Sequence, residues 1–395
     1  MRIAIDYNAA LRQLAGIGRY TRELVGALAA LRSDDELVLF YAAHGLPHDA
    51  VGRGTLAELC ATYPAIRPVG LPISERWLTI LWQRARLPLP VERWTGPVDL
   101  VHAPDFVLPP STTRRTIVTV HDLTFRIHPE TAHARLRRYL DRAVPRSLER
   151  ATHVLADSRN TAADLERLMR VPAAKISVLY PGIGSQFRRV VDSEQLRMVQ
   201  QRYGLPERFL LHVGTIEPRK NLERLILAWS VIATERGNMP GLVLAGKPGW
   251  LAEPIVRLAN ATPGVLLTGP VQDEDLPALY SLADGTVYPT LYEGFGFPPL
   301  ESLACGTPVM MSNTSSLPEL AGAGTTLIDP QDQHALAAGL RRLLDDHDLT
   351  AAARAHGPVH AARFDWSGAA RQLLELYHVL GKESPVGGAR SHAGV

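Results

Sequence analysis

Residues 287–308 read VYPTLYEGFGFPPLESLACGTP, and this stretch decides the fold of the chain around it. The apolar run at its start predicts the end of a buried strand, because an Asp-Gly pair precedes it and glycines follow it. Pro298 and Pro299 are well placed in a first helical turn, and Gly306 can end the helix in the left-handed conformation. The stretch therefore predicts a strand, a glycine-containing turn and a short helix. Open parallel α/β sheets bind ligands at such turns.

Two glutamates flank the turn: Glu293 lies within it, and Glu301 lies further along, in the helix. The glycines let the backbone approach a ligand closely, and the helix N-terminus offers free N–H groups to a phosphate. A phosphate repels a carboxylate, so both acids are expected to accept hydrogen bonds from the hydroxyl groups of a sugar or ribose. The alternative, an acid that complements the helix dipole, explains Glu301 but leaves Glu293 without a role.

The pattern Glu-x7-Glu, with Gly-Phe-Gly-Phe-Pro-Pro-Leu between the acids, resembles the family 4 retaining glycosyltransferases of the GT-B fold. The resemblance implies an α/β fold of two Rossmann-like, doubly wound domains that face a cleft, with a C-terminal helix crossing back to the first domain. It implies that Glu293 is catalytic and holds the transferred sugar, and that Glu301 holds the ribose of the nucleotide. The other donor-binding residues that it implies in this stretch are Gly294, Phe295, Gly296 and Leu300.

Length and composition are those of an ordinary globular protein. The 395 residues suffice for two domains, the net charge of +2 gives no indication of nucleic-acid binding, and 46% of the residues are hydrophobic. Two cysteines, Cys60 and Cys305, have no ligand-like spacing and indicate a reduced, cytoplasmic compartment. The chain enters a strand-like segment directly after Met1, so we expect no signal peptide, and no apolar run is long enough to span a bilayer.

Short apolar runs alternate with helical patterns in both halves of the chain, which predicts βαβ units and parallel sheets. A Pro- and Gly-containing break near residues 180–206 separates the halves. We predict a first, acceptor-side domain over residues 1–185 and a second, nucleotide-sugar-binding domain over 186–363. Residues 364–382 form the helix that crosses back, and 383–395 form a disordered tail. The apolar face of that helix comprises Trp366, Ala370, Leu373, Leu374, Tyr377 and Leu380.

The segment from Gly214 to Asn221 follows a strand and opens a helix, one strand–helix unit before the glutamate turn. Many family members carry an arginine directly after this glycine and a lysine five positions later. Here Thr215 stands at the first position and Lys220 at the second. The resemblance implies that Lys220 is catalytic and holds the donor diphosphate, and Arg219 is the candidate to supply the missing charge.

Gly16 and Gly18 resemble the glycine-rich loop that meets the donor phosphates across the cleft. The same residues could be mistaken for a dinucleotide-binding fingerprint. Its third glycine would fall at Thr21, and no acidic residue follows a suitable second strand. A nicotinamide-dependent enzyme is therefore discounted.

His121 ends a strand at the carboxyl edge and matches a histidine that the family places beside the donor sugar, so we count it among the catalytic candidates. A structural histidine is the alternative. Asp157 ends another strand and serves equally well as the cap of the following helix, and His102 is a weaker candidate.

Three acids at residues 273–275 precede a helix and are expected to act as caps and dipole partners rather than as metal ligands. The family usually needs no divalent ion, and no His/Cys/Asp cluster argues otherwise. We therefore predict no metal and no cofactor; the nucleotide sugar is a substrate.

Two basic segments in the first half are candidates for peripheral contact with the inner face of a membrane. Residues 76–86 combine Trp77 and Trp82 with aliphatic side chains and flanking arginines. A helical face in the second segment carries Arg135, Arg138, Arg142 and Arg146. Such surfaces suit anionic lipid or a lipid-linked acceptor, whereas a core-facing helix with solvated arginines is the alternative.

These observations together predict a retaining glycosyltransferase that moves a hexose to an acceptor hydroxyl of a glycan or lipid-linked saccharide. Mannose from GDP-mannose is favoured by resemblance to polysaccharide and O-antigen mannosyltransferases. The rivals are a GT-B epimerase, which releases free sugar without an acceptor, a phosphorylase with a pyridoxal-binding lysine, and a non-catalytic sugar-nucleotide binding protein. The last should have lost Glu293, Glu301 or Lys220, and all three are present.

Overall fold

The computed structural model of the chain describes residues 1–13 and 16–382. The tail predicted at 383–395 therefore lies outside the described residues. The described chain forms a seven-stranded and a six-stranded sheet, and every pairing between the named strands is parallel. The first sheet contains β1 (Arg2–Asp6), β2 (Glu36–Ala42), β3 (Ile66–Leu71), β4 (Leu100–Ala103), β5 (Thr116–Val120), β6 (His153–Ala156) and β7 (Ile176–Val178). The second contains β8 (Phe209–Val213), β9 (Gly241–Ala245), β10 (Val265–Gly269), β11 (Gly285–Tyr288), β12 (Val309–Ser312) and β13 (Thr325–Ile328).

Helices cover the faces of both sheets, as parallel strands require. Those of the first half are α1 (Asn8–Arg12), α2 (Ile17–Ala30), α3 (Gly52–Thr62), α4 (Glu75–Leu78), α5 (Glu92–Thr95), α6 (Thr124–Ile127), α7 (Ala134–Arg150) and α8 (Arg159–Met169). Those of the second are α9 (Ser193–Arg202), α10 (Leu222–Glu235), α11 (Glu253–Ala261), α12 (Leu276–Leu282), α13 (Phe297–Ala304), α14 (Gln333–Asp345), α15 (His347–Ala361) and α16 (Trp366–Lys382). The predicted architecture of two parallel α/β units is confirmed. The division at residue 185 stays a prediction.

Strand order places one topological switch point in each sheet. The first sheet runs β3-β2-β1-β4-β5-β6-β7, and the second runs β10-β9-β8-β11-β12-β13. The order reverses between β1 and β4 and between β8 and β11, and open parallel sheets bind ligands beyond the carboxyl ends of such strands. Lys220 follows β8 and Glu293 follows β11, so three strand–helix units separate the two predicted site segments in sequence, not one as expected. The second switch point brings them together because β8 and β11 are neighbours in the sheet.

Helix α16 belongs to the core of the first sheet, although it follows the second sheet in sequence. Tyr377 and Leu373 pack in one cluster with residues of β1 and α2. Asp365 caps the helix by accepting a hydrogen bond from the Gly368 N–H at 2.7 Å. Leu374, also predicted for the apolar face, is only partly buried. The Tyr377 hydroxyl lies 2.7 Å from His102, so that histidine is a core residue that joins α16 to the sheet.

The segment with two tryptophans differs from the single amphipathic helix expected over residues 76–86. It comprises α4 followed by a π-helical turn over Thr79–Arg84. Trp82 is buried and donates its indole N–H to the Leu89 carbonyl at 3.0 Å, whereas Trp77 is 57% exposed. Of the two alternatives left open for this segment, the core-facing one holds for Trp82, whereas Trp77 stays exposed.

Candidate active site

The glutamate turn has the predicted strand–turn–helix form, with β11 on one side and α13 on the other. Gly296 has φ +125°, a backbone conformation that side-chain-bearing residues rarely adopt. A Cβ on Gly294 would lie 1.9 Å from the backbone oxygen of His121 in the first domain. The first glycine therefore allows the two domains to touch at this turn, and the second starts the helix.

Glu293 is held by two cations. Its Oε1 lies 2.7 Å from Lys220 Nζ, and its Oε2 lies 2.7 Å from a guanidinium nitrogen of Arg219. Lys220 also donates to the Tyr288 hydroxyl at 2.9 Å, and Arg219 donates to the Glu217 carboxylate at 2.8 Å. The tertiary structure thus brings together the carboxylate and both basic residues predicted from two separate segments.

A short 3₁₀ turn over Pro218–Lys220 aims Lys220 at the glutamate turn. Asn221 follows in the left-handed conformation, with φ +58°, which asparagine tolerates better than most residues. Its side-chain amide donates to the carbonyls of Pro289 at 3.1 Å and Pro330 at 2.7 Å. Asn221 therefore ties the lysine turn to the strand end that precedes Glu293. Sequence reasoning missed this role, although Asn directly before a helix is a recognisable signal.

Burial and charge set the protonation of this cluster. Burial alone would raise the pKa of Glu293, but Arg219 and Lys220 lower it to about 2. Burial and the neighbouring Arg219 lower the pKa of Lys220, against the opposing pull of Glu293. Burial also works to lower the pKa of Arg219, but the Glu293 and Glu217 carboxylates raise it. The cluster therefore contains two basic and two acidic side chains that pair with one another in a buried position.

Glu301 is 2% exposed, and partners occupy both of its oxygens. Arg19 of the first domain lies 2.7 Å from Oε1, and the Tyr280 hydroxyl donates to Oε2 at 2.8 Å. Sequence reasoning named neither partner. Arg19 directly follows the predicted glycine loop, and that adjacency was the available signal.

The glycines of the predicted loop allow a tight turn between α1 and α2. Gly16 has φ +61°, and a Cβ on Gly18 would lie 2.2 Å from the Gln13 carbonyl oxygen. Helix α2 can therefore start tightly against the end of α1, and its first turn presents Arg19 to the second domain.

His121 stands on the first-domain side of the cleft with both ring nitrogens engaged. Nδ1 lies 2.7 Å from Asp157 Oδ2, and Nε2 lies 2.8 Å from the Pro104 carbonyl oxygen. A carbonyl only accepts, so Nε2 carries a proton, whereas Nδ1 donates when Asp157 is ionised. Burial raises the pKa of Asp157, and His121 opposes that rise. Burial alone would lower the pKa of His121, but Asp157 raises it to about 9. Asp157 is thus the partner of the histidine, and Ser158 caps α8 by accepting from the Thr161 N–H at 3.1 Å.

Two residues predicted to bind the donor turn their side chains away from the cleft. Phe295 packs against Tyr180 and Phe364 in the core of the second domain, and Leu300 is fully buried there. Only their backbone groups are placed to meet a ligand. The N-terminus of α13 is therefore the part of this helix that can serve a phosphate.

The acids at 273–275 do not act as caps as expected. Asp275 occupies the N-cap position of α12 without a side-chain cap bond, and it accepts from Arg202 and Tyr203 at 2.7 Å each. Among the residues that the structure describes, no group of three His, Cys, Asp or Glu could hold a metal ion. No helix within 1–13 or 16–382 is long and apolar enough to cross a membrane.

The cleft is closed over the predicted site. Lys220 and Glu293 are 6% and 8% exposed. Contacts from both domains seal it, since the Tyr292 hydroxyl donates to Asp164 at 2.6 Å and Glu319 accepts from two backbone N–H groups of α8 at 2.8 and 3.0 Å. Any ligand of this cluster would therefore have to separate some of these contacts to enter.

Comparison with known proteins gives matches to both halves of the chain. A family described as "Glycosyltransferase Family 4" matches residues 14–187, and one described as "Glycosyl transferases group 1" matches residues 197–358. The chain is 32% identical over 374 residues to O-antigen chain mannosyltransferase B of Escherichia coli, covering 93% of this chain and 97% of that protein. It is 33% identical over 254 residues to the serotype-specific mannosyltransferase WbdA of Escherichia coli, covering 62% of this chain and 31% of WbdA. The structure of sucrose-phosphate synthase from Thermosynechococcus elongatus has a TM-score of 0.74 at 23% identity, covering 96% of this chain and 99% of the other. That last likeness concerns the fold alone.

Proposed function

Because the chain belongs to the family 4 glycosyltransferases of the GT-B fold, we propose that it is a retaining mannosyltransferase that uses GDP-mannose. Mannose is favoured because two relatives from Escherichia coli are described as mannosyltransferases. The acceptor that we propose is a hydroxyl group of a glycan or lipid-linked saccharide in polysaccharide biosynthesis.

The observation that carries this proposal is the pair of cations on Glu293 at the switch point of the second sheet. A donor diphosphate bound there would replace part of the negative charge that Glu293 now supplies to Lys220 and Arg219. Each carboxylate oxygen can accept more than one hydrogen bond, so Glu293 can hold sugar hydroxyls while it still contacts a cation. The sugar and the leaving diphosphate then share one buried, charged site.

The reaction breaks the bond between the sugar C1 and a diphosphate oxygen and forms a bond from C1 to the acceptor oxygen. The transition state is oxocarbenium-like, as in other glycosyl chemistry. The acceptor proton passes to the departing phosphate oxygen, whose growing charge Lys220, Arg219 and the N-terminus of α13 stabilise. His121 is bonded to Asp157 and to the Pro104 carbonyl in the first domain, and the family resemblance would place it beside the donor sugar.

Transfer assays test the proposal. Purified enzyme is incubated with GDP-mannose, GDP-fucose, UDP-glucose or UDP-galactose and a polyprenyl-linked mannosyl acceptor, and the product linkage is read by NMR. We expect transfer from GDP-mannose with the anomeric configuration of the donor preserved. A product with inverted anomeric configuration would refute the retaining mechanism. Release of free sugar without an acceptor would favour an epimerase.

We also propose a peripheral membrane contact for the acceptor side of the first domain. Trp77 is 57% exposed, Leu136 at the start of α7 is 41% exposed, and Arg135 beside it is exposed as well. Exposed aromatic and aliphatic side chains next to arginines suit the interface of an anionic bilayer. This surface would hold the enzyme near a lipid-linked acceptor.

A further inference from the structure

Arg19 of the first domain forms a buried ion pair with Glu301 in the nucleotide site proposed for the second domain. Its guanidinium lies 2.7 Å from Glu301 Oε1, and the side chain is 12% exposed. Two aromatic rings flank it, with centroids 5.0 Å away for Phe187 and 5.7 Å away for Phe297. The bridge is therefore a defined, packed arrangement rather than a loose surface pair.

The bridge occupies the carboxylate that a ribose would need. Tyr280 holds Oε2 of Glu301 and Arg19 holds Oε1, so both oxygens are already bonded. Each oxygen can accept a further hydrogen bond, but Glu301 is buried and Arg19 covers Oε1, so ribose hydroxyls reach that oxygen only after Arg19 has moved. A buried guanidinium that loses its carboxylate needs another anion, because an unpaired buried charge is costly.

A donor diphosphate bound at the start of α13 would lie close to Arg19 and could replace Glu301 as its anionic partner. Phe297, whose ring the guanidinium of Arg19 approaches, is the first residue of α13. The free N–H groups of that helix start are the proposed phosphate site. Arg19 itself sits in the first turn of α2, so only its side chain has to swing.

We propose that Arg19 is a further donor-binding residue. When the ribose binds Glu301, the Arg19 side chain moves away from Glu301 and binds the donor diphosphate instead. The inference rests on the proposed nucleotide-sugar donor and deepens it. The exchange makes binding selective. A nucleoside without phosphates has to displace Arg19 and offers it nothing, whereas a nucleoside diphosphate supplies the new partner.

The exchange predicts effects of opposite sign in one variant. In Arg19→Ala, GDP or UDP should bind about tenfold or more weakly, because a charge-assisted contact to the diphosphate is lost. Guanosine or uridine should bind about threefold or more tightly, because Glu301 is no longer occupied in the free enzyme. Diphosphate affinity is measured by calorimetric titration at pH 8, and nucleoside affinity by ligand-observed NMR.

Two further variants distinguish the proposed exchange from a general loss of side-chain volume or of contact between the domains. Arg19→Lys keeps the charge and should retain diphosphate affinity between those of wild type and Arg19→Ala. Glu319→Gln weakens a contact between the domains away from Glu301, and it should leave the ratio of diphosphate to nucleoside affinity unchanged. Unfolding midpoints confirm that each variant is folded.

The outcomes are distinct. Tighter binding of both ligands by Arg19→Ala would make Arg19 a mere obstruction and overturn the inference. Unchanged binding of both, or the same change in Glu319→Gln, would make the bridge purely structural and also overturn it. Wild-type enzyme that binds neither GDP nor UDP would instead refute the proposed donor class itself, and the inference with it.

Discussion

Lys220→Ala and Glu293→Gln should change the affinity for a free nucleoside diphosphate in opposite directions. From the sequence alone we expect Glu293 to touch only the transferred sugar, which predicts no change in that affinity on Glu293→Gln. The structure changes this expectation, because Glu293 neutralises Lys220 and Arg219 at 2.7 Å each when no donor is bound. The carboxylate therefore competes with the diphosphate for the same cations.

The contacts give the size of the two effects. Lys220→Ala removes one buried cation, and loss of one preorganised charge typically costs about 3–4 kcal/mol at the transition state, or on the order of 10²–10³ in turnover. Its nucleoside diphosphate affinity should fall by about tenfold or more, as expected for one charge-assisted hydrogen bond. The fold should survive, since Arg219 still pairs with Glu293.

Glu293→Gln releases both cations from a competing carboxylate while keeping the shape of the side chain. In this variant Arg219 still forms an ion pair with Glu217 at 2.8 Å. Lys220 has no carboxylate partner left and can bond only to the Tyr288 hydroxyl and to the side-chain amide that replaces the Glu293 carboxylate. Affinity for GDP or UDP should therefore rise by about tenfold, the equivalent of one charge-assisted hydrogen bond. Turnover should still fall by about 10–100-fold, because the sugar hydroxyls lose an anionic acceptor.

Calorimetric titration of each variant with GDP and UDP, beside steady-state transfer rates, measures both effects. The double variant closes a mutant cycle and isolates the coupling between the two side chains. Weaker diphosphate binding in Glu293→Gln, comparable with that of Lys220→Ala, would refute the reasoning. Glu293 would then support the nucleotide or the fold rather than the sugar.

Four further outcomes are expected. Transfer should continue in excess EDTA, because basic side chains and a helix N-terminus meet the phosphate charge; activity lost with chelator and restored by magnesium or manganese would contradict this. Sedimentation with vesicles should rise with anionic lipid, fall with salt and weaken in Trp77→Ser, and indifference to all three would remove the proposed membrane contact. The pKa of His121 is 6.5 in the unfolded chain and about 9 in the folded protein, so between pH 6.5 and about 9 the folded protein binds one proton more. The free energy of unfolding should therefore decrease as pH rises through that window, by on the order of 3 kcal/mol. Urea unfolding at both ends of the window checks this, and His121→Gln should flatten the slope; an equal slope in both proteins would place the proton elsewhere. Leu373→Ala should lower the free energy of unfolding by about 2–5 kcal/mol, because Leu373 is fully buried where α16 packs in the core of the first sheet. A decrease of less than about 1 kcal/mol would mean that α16 contributes little to that core.

Local signals were sufficient wherever a feature depends on neighbours in sequence. The strand, turn and helix around Glu293 follow from an apolar run, glycines and two prolines within one short stretch. The parallel sense of the strands follows from the alternation of strands and helices. The strand order that makes β8 and β11 neighbours, and so places Lys220 near Glu293, is seen only in the structure. The apolar face of α16 could be read in the same way, from its helical spacing.

Only the tertiary structure decided which charges meet. Arg19 and Glu301 are 282 residues apart and lie in different domains, so no local pattern records their contact. The competition between Glu293 and a diphosphate likewise depends on distances of 2.7 Å that only the folded chain creates. Trp82 illustrates the same limit within one short segment, since the sequence pattern left open whether its ring is buried, and the structure shows it buried and bonded to the Leu89 carbonyl. Sequence determined which groups the site contains, because residue type and local backbone preference are encoded locally. Packing decided their partners, because burial removes the water that would otherwise screen and satisfy each charge.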